Sequence, residues 1–438
     1  MKQKNLWYFS EVNAIIVYSS KSSNRLTYIL KTLLNEGLGL ECKLTADLIE
    51  FTESDLPKIN YSLRESLGAF TIKPVGILAD YGIRDYPIEV NSDVMFQKIF
   101  FRASGADLPF DLFGAAFWLL SRYEEYLPHK PDNCNRFHYK SSLAYQYDFI
   151  HTPLVNVWLA EFKILLSKQF PALKFKDRAY NFLSSIDIDN VYKYKYKGIV
   201  RTLAGFFSDK KISNIRQRFN ISFRGKKDPF DCYDFLVETN KHFEIAAIYF
   251  FLLGDYGDND KNHSSSNLHF QSLIKHLADY SMVGIHPSFG SRNDLKQLRI
   301  ETGRLSNITH KNIYKSRQHF SILKFPDTYR DLLQAGITAD YSMGYTNLNG
   351  FRASYCYPFQ WYSLEIESAS TLKLHPFSIT ENSVSIEVEN QKRTFIEISK
   401  PLVAEVKKYN GQMVSVFHNN TFTQDMKKNY LEFLSIAK

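Results

Sequence analysis

Two acids two residues apart, Asp187 and Asp189, close the run Ser184-Ser185-Ile186-Asp187-Ile188-Asp189. If that run is a strand, its side chains alternate and both acids point to the same side of the sheet. Carboxylates so close stay charged together in a buried site only when a cation joins them; otherwise one holds a proton. Farther along, His286 follows Gly284-Ile285 and precedes Pro287. Arg317 and His319 stand two apart in Ser316-Arg317-Gln318-His319-Phe320, and His418 follows Val416-Phe417. An imidazole directly after an apolar strand is well placed as a metal ligand or a general base. Four segments, each offering Asp, Arg or His at its end, point to one shared site.

For these residues to meet, the segments must be neighbouring strands. Apolar runs predict strands over 180–188, 245–253, 282–285, 316–320, 339–342 and 413–417. Helical spacing of apolar residues predicts helices between them, over 233–242, 268–280, 295–308 and 326–335. Strand-then-helix repetition favours a parallel sheet, open or closed as a barrel, with chemistry at the carboxyl ends of the strands. Residues 1–178 read as a smaller mixed α/β domain, with a strand over 13–19 and helices over 25–38, 109–127 and 154–166. Arg122, Glu124 and Glu125 read as an exposed, salt-bridged helix end.

From Asp187 onward the chain resembles the polysaccharide deacetylases of the NodB-homology class. Ser185-Ile186-Asp187-Ile188-Asp189 is similar to that family's Thr-Phe-Asp-Asp-Gly motif, with one residue inserted between the acids. His286-Pro287-Ser288 resembles its His-(Ser/Thr)-x-x-His motif, Arg317 its Arg-led strand end, and Phe417-His418 its Leu-x-His motif, in the same chain order. Asp340-Tyr341-Ser342-Met343-Gly344-Tyr345 and Gly350-Phe351-Arg352-Ala353 resemble a bacterial subgroup associated with surface polysaccharide loci, which carries an additional N-terminal domain. The resemblance implies a distorted (β/α) barrel over 179–438, a domain over 1–178 and a divalent metal, with zinc the expected ion. It casts Asp187 as base, Arg317 as the group orienting it, Asp189 and His286 as ligands, and His418 as the acid for the leaving amine.

One position departs from the motif: Gly290 stands where the second His belongs. Catalytic zinc sites usually use three protein ligands, so His319 is the expected substitute; Asp187 itself or a metal-free site are the other readings. Ser288 and Arg352 are expected to contact sugar hydroxyls or anionic groups. Tyr345 and Trp361, with Phe351, Tyr355 and Phe359, either stack on sugar rings or belong to the core. His375 also resembles the last motif, but His418 ends the final apolar strand. The loop over 254–260 reads as a solvated turn. The implied activity is removal of acetyl groups from N-acetylated sugars of a surface polysaccharide or its lipid-linked precursor. A degenerate glycan-binding barrel, or a hydrolase of another non-peptide C–N bond, are the alternatives.

Composition bounds these readings. With 438 residues, 44% apolar and 23% charged, the chain is that of a globular protein of two or three domains. Four scattered cysteines without a CxxC pair indicate a reducing compartment. The first residues do not read as a signal peptide and no apolar run reaches the roughly 18 residues of a membrane span, which predicts a cytoplasmic protein. The net charge of +8 is concentrated: between Lys193 and Lys227 eleven Lys and Arg face only Asp209, leaving the rest of the chain at −2. This basic insertion over 191–231 contains Ile199, Leu203 and Phe206 at helical spacing, with Val200 and Phe207 alongside. Such a helix docks on its own domain or lies on an anionic membrane face or acidic polymer. No nucleic-acid module accompanies the charge, so nucleic acid is not an expected partner.

Overall fold

The computed structural model describes residues 12–65, 67–197 and 212–438. The expected basic helix over 199–207 lies outside the described residues. Near the N-terminus four parallel strands, β1 (Ala14–Tyr18), β2 (Glu41–Thr45), β3 (Lys58–Asn60) and β4 (Phe70–Thr71), form a sheet in the order β2-β1-β3-β4. The alternation of β1 buries both its faces. Ile15 and Val17 join the main apolar core, while Ile16 and Tyr18 pack with Phe51 and Ala69 on the other side. A short hairpin, β5 (Asn91–Asp93) and β6 (Gln97–Ile99), and the buried helix Leu112–Leu120 complete this part.

Residues beyond 180 build a nine-stranded sheet from β7 (Asn181–Ile188), β8 (Ala246–Phe251), β9 (Met282–Ile285), β10 (Lys315–Ser316), β11 (Ala339–Asp340), β12 (Phe359–Ser363), β13 (Ser368–Leu374), β14 (Ile379–Thr380) and β15 (Gln412–His418). Its order is β12-β13-β11-β10-β9-β8-β7-β15-β14, parallel throughout except for the antiparallel hairpin β12–β13. The expected helices are present as Tyr233–His242, Leu268–Tyr280, Leu295–Thr309 and Asp327–Gln334. Among the described residues no ladder joins β12 to β14, so the sheet is curled rather than closed as a barrel. Its curvature is read from side chains. The Arg317 guanidinium beyond β10 lies 5.3 Å from the Phe377 ring just before β14. Five strand spacings would separate them by about 24 Å in a flat sheet.

That curl gives every strand an inner side. Leu183 of β7, Ile248 and Phe250 of β8, and Val414 and Val416 of β15 form one inner cluster, whereas Ile186, Tyr249, Phe251, Met413 and Phe417 face the helices. Continuing the period of two places Asp187 and His418 inward at adjacent strand ends, where their Cα atoms are paired in register. On β9 the inner position is Gly284, whose added Cβ would lie 2.6 Å from the Phe250 ring; only a hydrogen fits beneath the helix-free side.

Three expectations are corrected here. The strand expected over 316–320 stops at Ser316, and the segment cannot run on as a strand to 320 because Phe320 and Ser321 take positive φ angles and turn the chain. The helix expected over 109–127 ends at Leu120, with Arg122 in the left-handed region. And Arg122 with Glu125 is not an exposed helix end: both are buried. Glu125 accepts from Arg122 Nε at 2.8 Å and from Arg352 Nε and Nη2 at 2.9 and 2.6 Å. A carboxylate this deep is held ionised against burial by Arg352 and Arg122 together. The described residues contain no helix long and apolar enough to cross a membrane, and all four cysteines are free.

Replacing Glu125 by Leu leaves two guanidiniums buried and short of a partner. The expected loss is about 3–5 kcal/mol of stability, measured by denaturant unfolding.

Candidate active site

A cleft of about 640 Å³ opens at the carboxyl ends of the curled sheet. Asp187, Asp189, His319 and His418 stand on its wall; His286 and Arg317 lie behind them, 1% and 0% exposed. The sequence therefore brings together all six residues expected to carry the chemistry. Asp187 Oδ1 is 3.6 Å from Arg317 Nε, and its Oδ2 lies 4.0 Å from His286 Nε2 and 3.9 Å from His418 Nε2. Arg317 is fixed in turn by donating from Nη2 to Ser185 Oγ at 2.7 Å.

Each imidazole is oriented through its Nδ1. His286 donates to the Arg317 carbonyl at 2.5 Å, His319 to Asp260 at 3.0 Å and His418 to Glu381 at 2.6 Å. The Nε2 atoms are thereby turned toward the acids. His286 Nε2 is 3.2 Å from Asp189 Oδ1, and His319 Nε2 is 3.9 Å from Asp189 Oδ2. Carboxylate or carbonyl partners on the far nitrogen fix tautomer and ring direction in metal-binding histidines.

Asp189, His286 and His319 offer ligand atoms that all lie within 4.8 Å of one another. Asp189 Oδ1, His286 Nε2 and Asp187 Oδ1 are buried, and none has a hydrogen bond among the described residues. Two imidazole nitrogens and a carboxylate oxygen, close but not bonded to each other, fit a divalent ion such as zinc. Burial alone would disfavour charge on every group here. For Asp189 it is outweighed by His286, His418 and His319, which hold the carboxyl well below its usual range. For His418, burial is outweighed by Glu381, Asp189 and Asp187, which push its pKa up to about 10. His286 is raised too, by Asp187 and Asp189 against burial.

Two orienting acids escaped the sequence reading. Asp260 sits in the loop taken as a solvated turn, yet it is 4% exposed. Besides His319 it accepts the backbone N–H groups of Phe289 and Gly290 at 2.9 and 3.0 Å. Glu381 opens the helix Glu381–Gln391 directly after β14, a short strand that the sequence did not announce. The only available signal was an acid in the first turn behind a Thr cap.

The four residues expected to bind substrate are elsewhere. Ser288 is buried and donates to Glu301. Arg352 is sealed against Glu125, and Tyr345 lies over it with the guanidinium 5.6 Å from the ring. Trp361 packs on Tyr329 in the core. None of the four lines the cleft. Its polar wall comes instead from Gln318, Asn347, Asn382 and Asn420, with Arg136 reaching in from the N-terminal part.

A family model described as a family of unknown function (DUF7033) matches residues 15–171. No curated protein matches the chain. Among solved structures the chain is similar to a polysaccharide deacetylase from Bacillus cereus, at 12% identity over 59% of this chain and 86% of that one, TM-score 0.29. It is similar to the carbohydrate deacetylase Agd3, at 8% identity over 94% of this chain and 79% of that one, TM-score 0.38. A third likeness is to a CE4 family pseudoenzyme from Bacillus anthracis, at 8% identity over 58% of this chain and 61% of that one, TM-score 0.27. With every TM-score below 0.5, the functional reading rests on the cleft itself.

Protein stripped with chelator and titrated with zinc should take up about one ion per chain, more tightly as pH rises and His286 loses its proton. His286→Ala should lose the ion, and Asp260→Ala should weaken it about 10–100-fold by freeing the His319 ring. Calorimetry or a competing chromophoric chelator reads both.

Proposed function

We propose that the cleft hydrolyses the acetamide of an N-acetylated sugar. The supporting observation is the position of Asp187, which faces Arg317, His286 and His418 while three ligand atoms converge beside it. Asp189, His286 and His319 are the residues to hold a divalent ion. When bound there, it supplies Lewis-acid polarisation of the amide carbonyl and acidifies a water.

The chain's own groups do the rest. Asp187, held in place beside Arg317, accepts the proton of the attacking water on a carboxylate oxygen. His418 is the acid: its Nδ1 is committed to Glu381, so a proton on Nε2 faces the cleft and passes to the leaving nitrogen. Products are acetate and a free amino sugar. The amides of Gln318, Asn347, Asn382 and Asn420 are suited to sugar hydroxyls, which need donors and acceptors at the same place. His319 serves in the role that the family's second motif gives to the residue at 290.

The proposed substrate is a surface polysaccharide or its lipid-linked precursor. A cytoplasmic enzyme held at the inner membrane face by the basic stretch over 193–227 fits the precursor. The proposed division falls at 178, with residues 1–178 as an accessory domain and 179–438 as the catalytic one.

Zinc-loaded protein should release acetate from N-acetylated oligosaccharides. Asp187→Asn should lower kcat by about 10²–10⁴-fold while keeping the ion, since Asp187 is outside the ligand set. A loaded protein that binds such oligosaccharides but releases no acetate points to a glycan-binding barrel. Hydrolysis of ureides or ring-opening of cyclic amides, without acetate release, points to another C–N hydrolase.

The acid role predicts a pH effect of definite sign. His418 must be protonated, so activity falls as pH rises through its pKa. Glu381→Gln removes the charge that raises this pKa, and the alkaline limb of the kcat profile should move to lower pH by about 1–3 units.

A further inference from the structure

A second cleft, of about 620 Å³, lies in the N-terminal part and shares no lining residue with the first. It opens at the carboxyl edge of the four-stranded sheet. The chain leaves β1 for β2 on one side and returns to β3 on the other. Loops that diverge at such a switch point leave a crevice, the place where open parallel sheets bind ligands. The lining follows this topology: 19–21 come after β1, 61–64 after β3 and 74–79 after β4.

The walls carry two chemistries. Lys21 and Arg64 stand exposed at the rim, and no carboxylate is among the lining residues. Neither cation has an acidic partner among the described residues. Ser19 and Ser20, next to Lys21, add hydroxyls to the lining. Val75 and Leu78 line the same cleft, and Leu63 is left 75% exposed. Two cations without acidic partners among the described residues and apolar side chains lining one cleft match a ligand with an anionic end and a ring.

We propose that this cleft binds a phosphorylated ring compound of the nucleotide class, its phosphates on Lys21 and Arg64 and its ring against Leu63, Val75 and Leu78. The site stands independently of the hydrolytic reading. Its geometry needs neither the acids nor the imidazoles of the other cleft.

Calorimetry on the full chain in chelator, so that no ion bridges phosphate to the other cleft, tests this with ADP, UDP, the free nucleosides and pyrophosphate. At least one nucleoside diphosphate is expected to bind more tightly than its nucleoside and than pyrophosphate. Lys21→Ala/Arg64→Ala should weaken it by about tenfold or more, Leu63→Asp should also weaken it, and Asp189→Ala should leave it unchanged. Circular dichroism establishes that the surface variants are folded. The proposal is overturned if neither diphosphate binds, if pyrophosphate binds as well as the nucleotide, or if the loss follows Asp189→Ala rather than the Lys21/Arg64 pair.

Discussion

The burial of carboxyl groups at the mouth of the curled sheet is the constraint around which this protein is arranged. Asp187 is 3% exposed, Asp189 and Glu381 each stand one imidazole away from it, and Asp260 lies farther back behind His319. Charge on such groups is tolerated only when opposite charge and hydrogen bonds replace the lost water. Arg317 supplies one fixed cation, and His286 and His418, whose pKa values the neighbouring acids raise against burial, supply further positive charge. Depth in the fold and chemistry are the same fact here. The environment that forces compensation also makes every proton and every cation in the cleft count.

How the third imidazole comes to be there follows from local geometry. Beyond Ser316 the backbone keeps alongside the end of β9, Arg317 N–H donating to the Ile285 carbonyl at 3.0 Å and His319 N–H to the Pro287 carbonyl at 3.2 Å. This sets the His319 and His286 rings 5.1 Å apart before the chain turns at Phe320 and Ser321. Asp260 then fixes the His319 ring, and Asp260 is held by the backbone N–H of Gly290. The backbone N–H at 290 thus helps to hold the acid that orients His319.

Much of this was legible in the sequence because it follows the period of two. Apolar alternation in β7 and β15 fixes which side Asp187 and His418 take, and strong apolar runs locate the strands that carry them. Residues that act by orienting others were not legible. Asp260 lies in a polar loop whose path is set by contacts with Phe289 and Gly290, and Glu381 follows a two-residue strand with no periodicity to announce it. Arg352 misled for a related reason. A guanidinium in a Gly-rich segment reads as a ligand contact, whereas its partner, Glu125, is more than two hundred positions away and only the fold brings them together.

The open seam of the sheet has its own consequence. The outermost strand, β12, does not end in water: the Tyr28 hydroxyl donates to the Gln360 carbonyl at 2.8 Å, and Asn24 donates to the Glu367 carbonyl beside it. Arg25, 1% exposed, forms a buried ion pair with Glu367, and apolar packing runs without a break from the first helix into the hairpin. The early residues therefore act as a cover for a strand edge that would otherwise recruit other chains. Cutting the polypeptide between its two sheets bares that edge together with a widowed Glu367, so a fragment starting near 179 is set to self-associate rather than to stand as an independent enzyme.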